Sequence, residues 1–153
     1  MTNPAQSAFL PLAVMMFATG IGIPIFAAFN SALGTQLGSP FASTAVTFAF
    51  GLVLALALVA LTGFPAREAW HMQQPYIWFG AVFMLFYGTA IAFAAPRIGV
   101  GNAVFFVLLG QLVMAAAIDH FALFGAMQAS FNAKRALGIA VMALGVYLAR
   151  KPV

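Results

Sequence analysis

Residues 41–61 read FASTAVTFAFGLVLALALVAL, an uncharged run of 21 residues whose only polar side chains are Ser43, Thr44 and Thr47. At 1.5 Å per residue such a run makes a helix about 32 Å long, which matches a bilayer core about 30 Å thick. Its ends are marked. Ser39-Pro40 is a start signal, with serine as N-cap and proline at the first helical position, and Thr62-Gly63-Phe64-Pro65 is a stop. The rest of the chain has the same character. Of 153 residues, 65% are hydrophobic and 5% charged, and the mean hydropathy is +1.07. A soluble domain carries about 25% charged residues, so that class is excluded. Five spanning helices would use most of the chain and leave no room for a second domain. With no cysteine, a disulfide framework, a zinc site and thiol catalysis are excluded as well.

Working outward, the pattern predicts an all-α integral membrane protein forming one domain, with helices over about 8–29, 41–61, 75–95, 100–124 and 133–149. The leader MTNPAQS has no Lys or Arg, whereas a secretory signal has a basic flank, so the first segment reads as a retained helix. Gly20, Gly22 and Pro24 lie close together within it. They lower helix stability and remove a backbone hydrogen bond, which predicts a kink and a hinge. Pro75 opens the third segment and Pro96 closes it, leaving Arg97-Ile98-Gly99 as a short turn. Asn132 is placed to cap the fifth.

Five spans put the termini on opposite sides. One side then holds Arg67, Lys134 and Arg135, and the other Arg97, Arg150 and Lys151. Orientation follows the Lys/Arg imbalance between short loops, and three against three gives no imbalance. This predicts insertion in both orientations and an antiparallel homodimer that reproduces the inverted-repeat symmetry of many transporters; the alternative is one orientation fixed by a partner. The basic residues are scattered singly or in pairs, so they read as loop anchors in a lipid bilayer and not as a nucleic-acid surface.

Several stretches together resemble the YdcZ-like family. They are GIPIFAAFNSALG at 22–34, Gly38-Ser39-Pro40 leading to TAVTFAFG, Ala95-Pro96-Arg97-Ile98-Gly99, Gly110-Gln111-Leu112, Asp119-His120-Phe121 and the run from Gly138 to Val146. The resemblance covers nearly the whole chain. It implies a five-helix protein of the bacterial inner membrane, half of an inverted-repeat transporter of the drug/metabolite transporter superfamily, working as a homodimer or paired with a paralogue. The last helix also resembles the terminal dimerising helix of small multidrug resistance proteins, which implies packing through Gly138 and Gly145. Small residues seven apart let helix backbones approach in lipid. The carboxylate that those proteins carry in their first helix has no counterpart here.

The candidate functional residues are few. Asp119 is the one acidic residue in or near a span. An intramembrane carboxylate is a candidate proton or cation site, with His120 as relay, but at headgroup depth it could instead pair with Lys134, Arg135 or His120. Gln111 lies about 16 Å into the fourth helix, near the bilayer centre. Its amide either lines a solute pathway or bridges to a second copy. Asn30, at the end of the first segment, is a solute contact or a helix cap, and Thr47 is a pore wall or a packing residue. Arg97 could attract an anionic solute or anchor to headgroups. No catalytic constellation, metal-ligand spacing or cofactor loop occurs in the sequence, so enzyme activity has no support. The function expected is small-solute transport by alternating access; the competing class is a non-transporting assembly subunit or one half of a heterodimeric transporter.

Overall fold

The computed structural model describes residues 4–70 and 74–149. Arg150 and Lys151, two of the basic residues counted on one side above, lie outside the described residues. Five α-helices run in the order α1 (Pro4–Gln36), α2 (Pro40–Thr62), α3 (Gly80–Ile98), α4 (Val100–Phe121) and α5 (Ala133–Ala149). Short 3-10 turns occupy Arg67–Trp70, Pro75–Phe79 and Leu123–Gly125. Four stretches are long and apolar enough to cross a membrane: Phe9–Gln36, Pro40–Thr62, Tyr76–Ile98 and Val100–Phe121. The 17 residues of α5 reach about 26 Å, short of a hydrocarbon core about 30 Å thick.

Local chemistry accounts for most boundaries. At the α1–α2 junction Gly38 takes φ +64°, Ser39 N donates to Gly34 O at 3.1 Å and Gly38 N to Thr35 O at 3.3 Å. This is a glycine-dependent helix stop that satisfies the last carbonyls. The next residue starts α2 at once. Ser39 Oγ accepts from Ala42 N at 3.2 Å and Pro40 takes the first turn, where its missing N–H costs nothing. Asn132 caps α5, its Oδ1 accepting from Arg135 N at 2.9 Å.

Five boundaries differ from the sequence reading. Helix α1 starts at Pro4 and not near residue 8, and Pro75 opens a 3-10 turn, Pro75–Phe79, ahead of α3. Helix α1 continues past Phe29 to Gln36, because the polar residues that read as its end are enclosed by neighbouring helices. Pro96 lies inside α3, in its last turn, where one lost backbone bond is tolerable. The turn shrinks to Gly99, at φ +86°. Helix α4 stops at Phe121, closed by Ala122 in the left-handed region at φ 49°.

The chain forms two compact units, divided between Arg97 and Ile98. The first holds α1, α2 and nearly all of α3, and its interior is made of small and polar side chains. Ala27, Asn30, Ser43 and Thr44 are buried, with Ser31, Ile91, Ala92 and Ala95. The large apolar side chains face outward: Phe17, Phe29, Phe41, Phe83 and Phe86 are each more than two-thirds exposed. In water this arrangement would be inverted. In lipid it is favourable, because close packing of small residues, not apolar burial, holds helices together. The second unit pairs α4 with α5.

Candidate functional site

In the first unit, Asn30 joins three helices. Its Nδ2 donates to Gly88 O of α3 at 2.8 Å and to Thr44 Oγ1 of α2 at 3.4 Å. Its Oδ1 accepts from Thr47 Oγ1 at 3.2 Å. The side chain is 1% exposed and has a partner at each end. Asn30 is therefore in mid-helix and not a helix cap, and Thr47 turns toward it. Glycine is needed opposite. A Cβ at Gly88 would lie 2.8 Å from Thr44 Cγ2. Ser43 and Thr44 also bond back to Pro40 O, at 3.0 and 2.9 Å, as hydroxyls in spans commonly do.

The sequence reading passed over two neighbours of this cluster, Tyr87 and Thr89. Their hydroxyl oxygens are enclosed and have no partner among the described residues, while the Tyr87 ring stacks on Phe26 with centroids 5.8 Å apart. In the sequence they looked like an aromatic and a threonine among many; only the enclosure distinguishes them.

In the second unit, Asp119 and His120 hold the α4–α5 connection. Arg135 Nη2 pairs with Asp119 Oδ2 at 2.5 Å, and Arg135 Nη1 donates to Ala129 O at 3.4 Å. Ala129 N donates to Asp119 O at 2.9 Å. His120 does not bond Asp119; its Nδ1 accepts from Phe131 N at 3.0 Å, which requires that nitrogen to be unprotonated. Beside this clasp lies an apolar cavity of about 390 Å³ between Val113, Ala117, His120, Phe131 and Ile139.

Gln111 stands apart from both clusters. It is exposed and its amide makes no side-chain hydrogen bond with the described residues. Asn102, about 180° around the helix, is buried and bonds Ile98 O at 2.9 Å. Arg97 is folded onto its own helix, its guanidinium 3.7 Å over the Phe93 ring and donating to Phe93 O. Gly20 and Gly22 in α1, and Gly138 and Gly145 in α5, have nothing within 4 Å of where a Cβ would be. Pro24 lies inside α1.

An all-helical chain with four apolar spans, a small-residue interior and lipid-suited outer faces is a multi-pass membrane protein. Residues 11–148 match the model of the family described as "Putative inner membrane exporter, YdcZ", and the chain belongs to that family, which supports a membrane transporter in the inner membrane. Comparison with curated proteins and with solved structures gave no match.

Proposed function

We propose that the chain exports a small solute across the inner membrane by alternating access between two copies inserted in opposite orientations. The observation that carries this reading is the Gln111 amide, exposed and without a partner near the middle of an apolar span. A polar group left in hydrocarbon costs several kcal/mol, on the order of 2–7, so it belongs against a solute path or a second chain. Gln111 is the solute contact in this scheme. Asn30 and Thr47 act as the clamp that keeps α1, α2 and α3 together, since their hydrogen-bonding groups are already used.

Gly20, Gly22 and Pro24 form the hinge in α1. Pro24 leaves Gly20 O without its helical donor, and neither glycine is packed against anything. Gly138 and Gly145 give α5 an open stripe for contact with the second copy. Balanced loop charge supports the opposite insertion of the two copies.

Topology is tested with single thiols, because the native chain has none: Gln36→Cys and Ser130→Cys, probed in intact cells with an impermeant maleimide. Partial labelling of both in comparable fractions is expected, and labelling of one alone refutes dual insertion. For export, proteoliposomes loaded with a small-molecule cell extract are incubated and the outside medium is read by mass spectrometry. Release of one or a few compounds above protein-free liposomes is expected. No release above that background refutes the transport reading.

A further inference from the structure

The exposed face of α4 is organised around Gln111. Gly101, Val104, Leu108, Gln111, Ala115 and Ile118 follow each other at alternating spacings of three and four, the spacing of a helix-pairing seam. None of them is buried in the chain. On a helical projection they fall within about 100° of arc. Helix α5 takes the opposite side of α4: Val113, Ala117 and His120, which line the cavity shared with Ile139, lie roughly 180–240° around the helix from Gln111. The seam is therefore a second face, left over after α5 has packed.

We infer that two copies meet along this seam, antiparallel, with their Gln111 amides facing one another across the two-fold axis, so that the polar station at mid-membrane is built from two chains. The inference rests on the two-copy reading above and adds the helix and the residue at which the copies meet. Position supports it first. Helix α4 runs from Val100 to Phe121, and its midpoint falls between Gly110 and Gln111. In an antiparallel pair only residues at the midpoint meet their own copies; the others meet residues equally far on the opposite side. Val104 then lies opposite Ile118, and Leu108 within a residue of Ala115.

Chemistry supports it next. A carboxamide carries both donor and acceptor, so two of them satisfy each other with no third group, and in lipid an interhelical amide bond holds helices together. A solute with a hydrogen-bonding group can then take over one side of the exchange. Reversal of one copy also opposes the two helix dipoles.

The test uses cysteine variants of the full chain in native membranes, oxidised with copper phenanthroline. A disulfide needs Cα atoms about 4.4–6.8 Å apart. Gln111→Cys is expected to give a disulfide-linked dimer as the major species, at least tenfold above Val113→Cys on the opposite face. Val104→Cys and Ile118→Cys are expected to stay monomeric singly and to give the dimer when present together. They cannot join within one chain, being about 21 Å apart along the helix. Crosslinking of Val104→Cys alone means parallel copies and overturns the inference. So does crosslinking at Gly145→Cys without any at Gln111→Cys, which places the contact on α5. Failure of the reading beneath it looks different: single-molecule photobleaching of the unmodified chain, fluorescently tagged, would then show one copy per particle. Circular dichroism of each purified variant identifies any that lost its helices, and Leu108→Cys and Ala115→Cys present together serve as the replacement for Gln111→Cys in that case.

Discussion

Replacing Asn30 by alanine removes three hydrogen bonds at once: to Gly88 O at 2.8 Å, to Thr44 Oγ1 at 3.4 Å and from Thr47 Oγ1 at 3.2 Å. Their weights differ. Thr44 keeps its bond to Pro40 O, so the long contact contributes little. The other two are interhelical bonds in a membrane, about 0.6–1.7 kcal/mol each, and the lost side-chain volume adds about 1 kcal/mol because the site is fully enclosed. The expected loss is about 2–4 kcal/mol. It is read by unfolding the purified chain from mild detergent into SDS, followed by circular dichroism. Thr47→Val alone should cost about 1 kcal/mol, and the double variant should show a coupling of about 0.6 kcal/mol or more between the two positions. A loss below about 0.5 kcal/mol for Asn30→Ala, together with abolished release from proteoliposomes, would refute the clamp and return Asn30 to the solute pathway.

Three further outcomes follow from the same geometry. Gly88→Ala places a methyl 2.8 Å from Thr44 Cγ2 and should destabilise by about 1–3 kcal/mol, with most of the loss recovered when Thr44→Ser removes that methyl; the SDS titration reads both. Ala122→Gly relieves a left-handed φ of 49° and should stabilise the α4 end by about 0.5–1 kcal/mol, seen as slower amide exchange at residues 119–125. Asp119→Asn breaks a pair whose side chains are about one-third exposed, so it should cost under ~1 kcal/mol while speeding thiol modification at Ser130→Cys in the loosened connection.

What the sequence discloses depends on whether the signal is local. The start at Ser39-Pro40, the Asn132 cap and the Asp119–Arg135 partnership were legible because each is decided within a turn or across one connection. The extension of α1 was not. Asn30, Ser31 and Thr35 read as the polar end of a span, but Asn30 is stabilised by groups 14 to 58 residues away, which no local pattern encodes. Pro96 misled for a related reason: proline is costly in a helix interior and cheap in the last turn, and the sequence alone does not say how far α3 runs. For Gln111, depth and polarity were readable from its position in the run; its exposure and lack of a partner among the described residues came only with the structure.

The arrangement of charge limits how transport can be driven. The chain has two carboxylates, Glu68 in the α2–α3 connection and Asp119 in the last turn of α4. Neither is near the middle of a span, so a proton or cation cannot be exchanged for solute at a central carboxylate. Asp119 is also committed to Arg135. Breaking that pair would loosen the α4–α5 connection at the point where Ala129 and Phe131 are held. A charged cargo would meet no counter-charge at Gln111, and an unpaired ion in a membrane interior costs more than a neutral amide can return. On the path proposed through Gln111, the cargo that suits is uncharged, with at least one group able to hydrogen-bond. Asp119→Asn and Gln111→Leu therefore have separable consequences: the first should loosen the α4–α5 connection and leave the set of released compounds unaltered, whereas the second should abolish release.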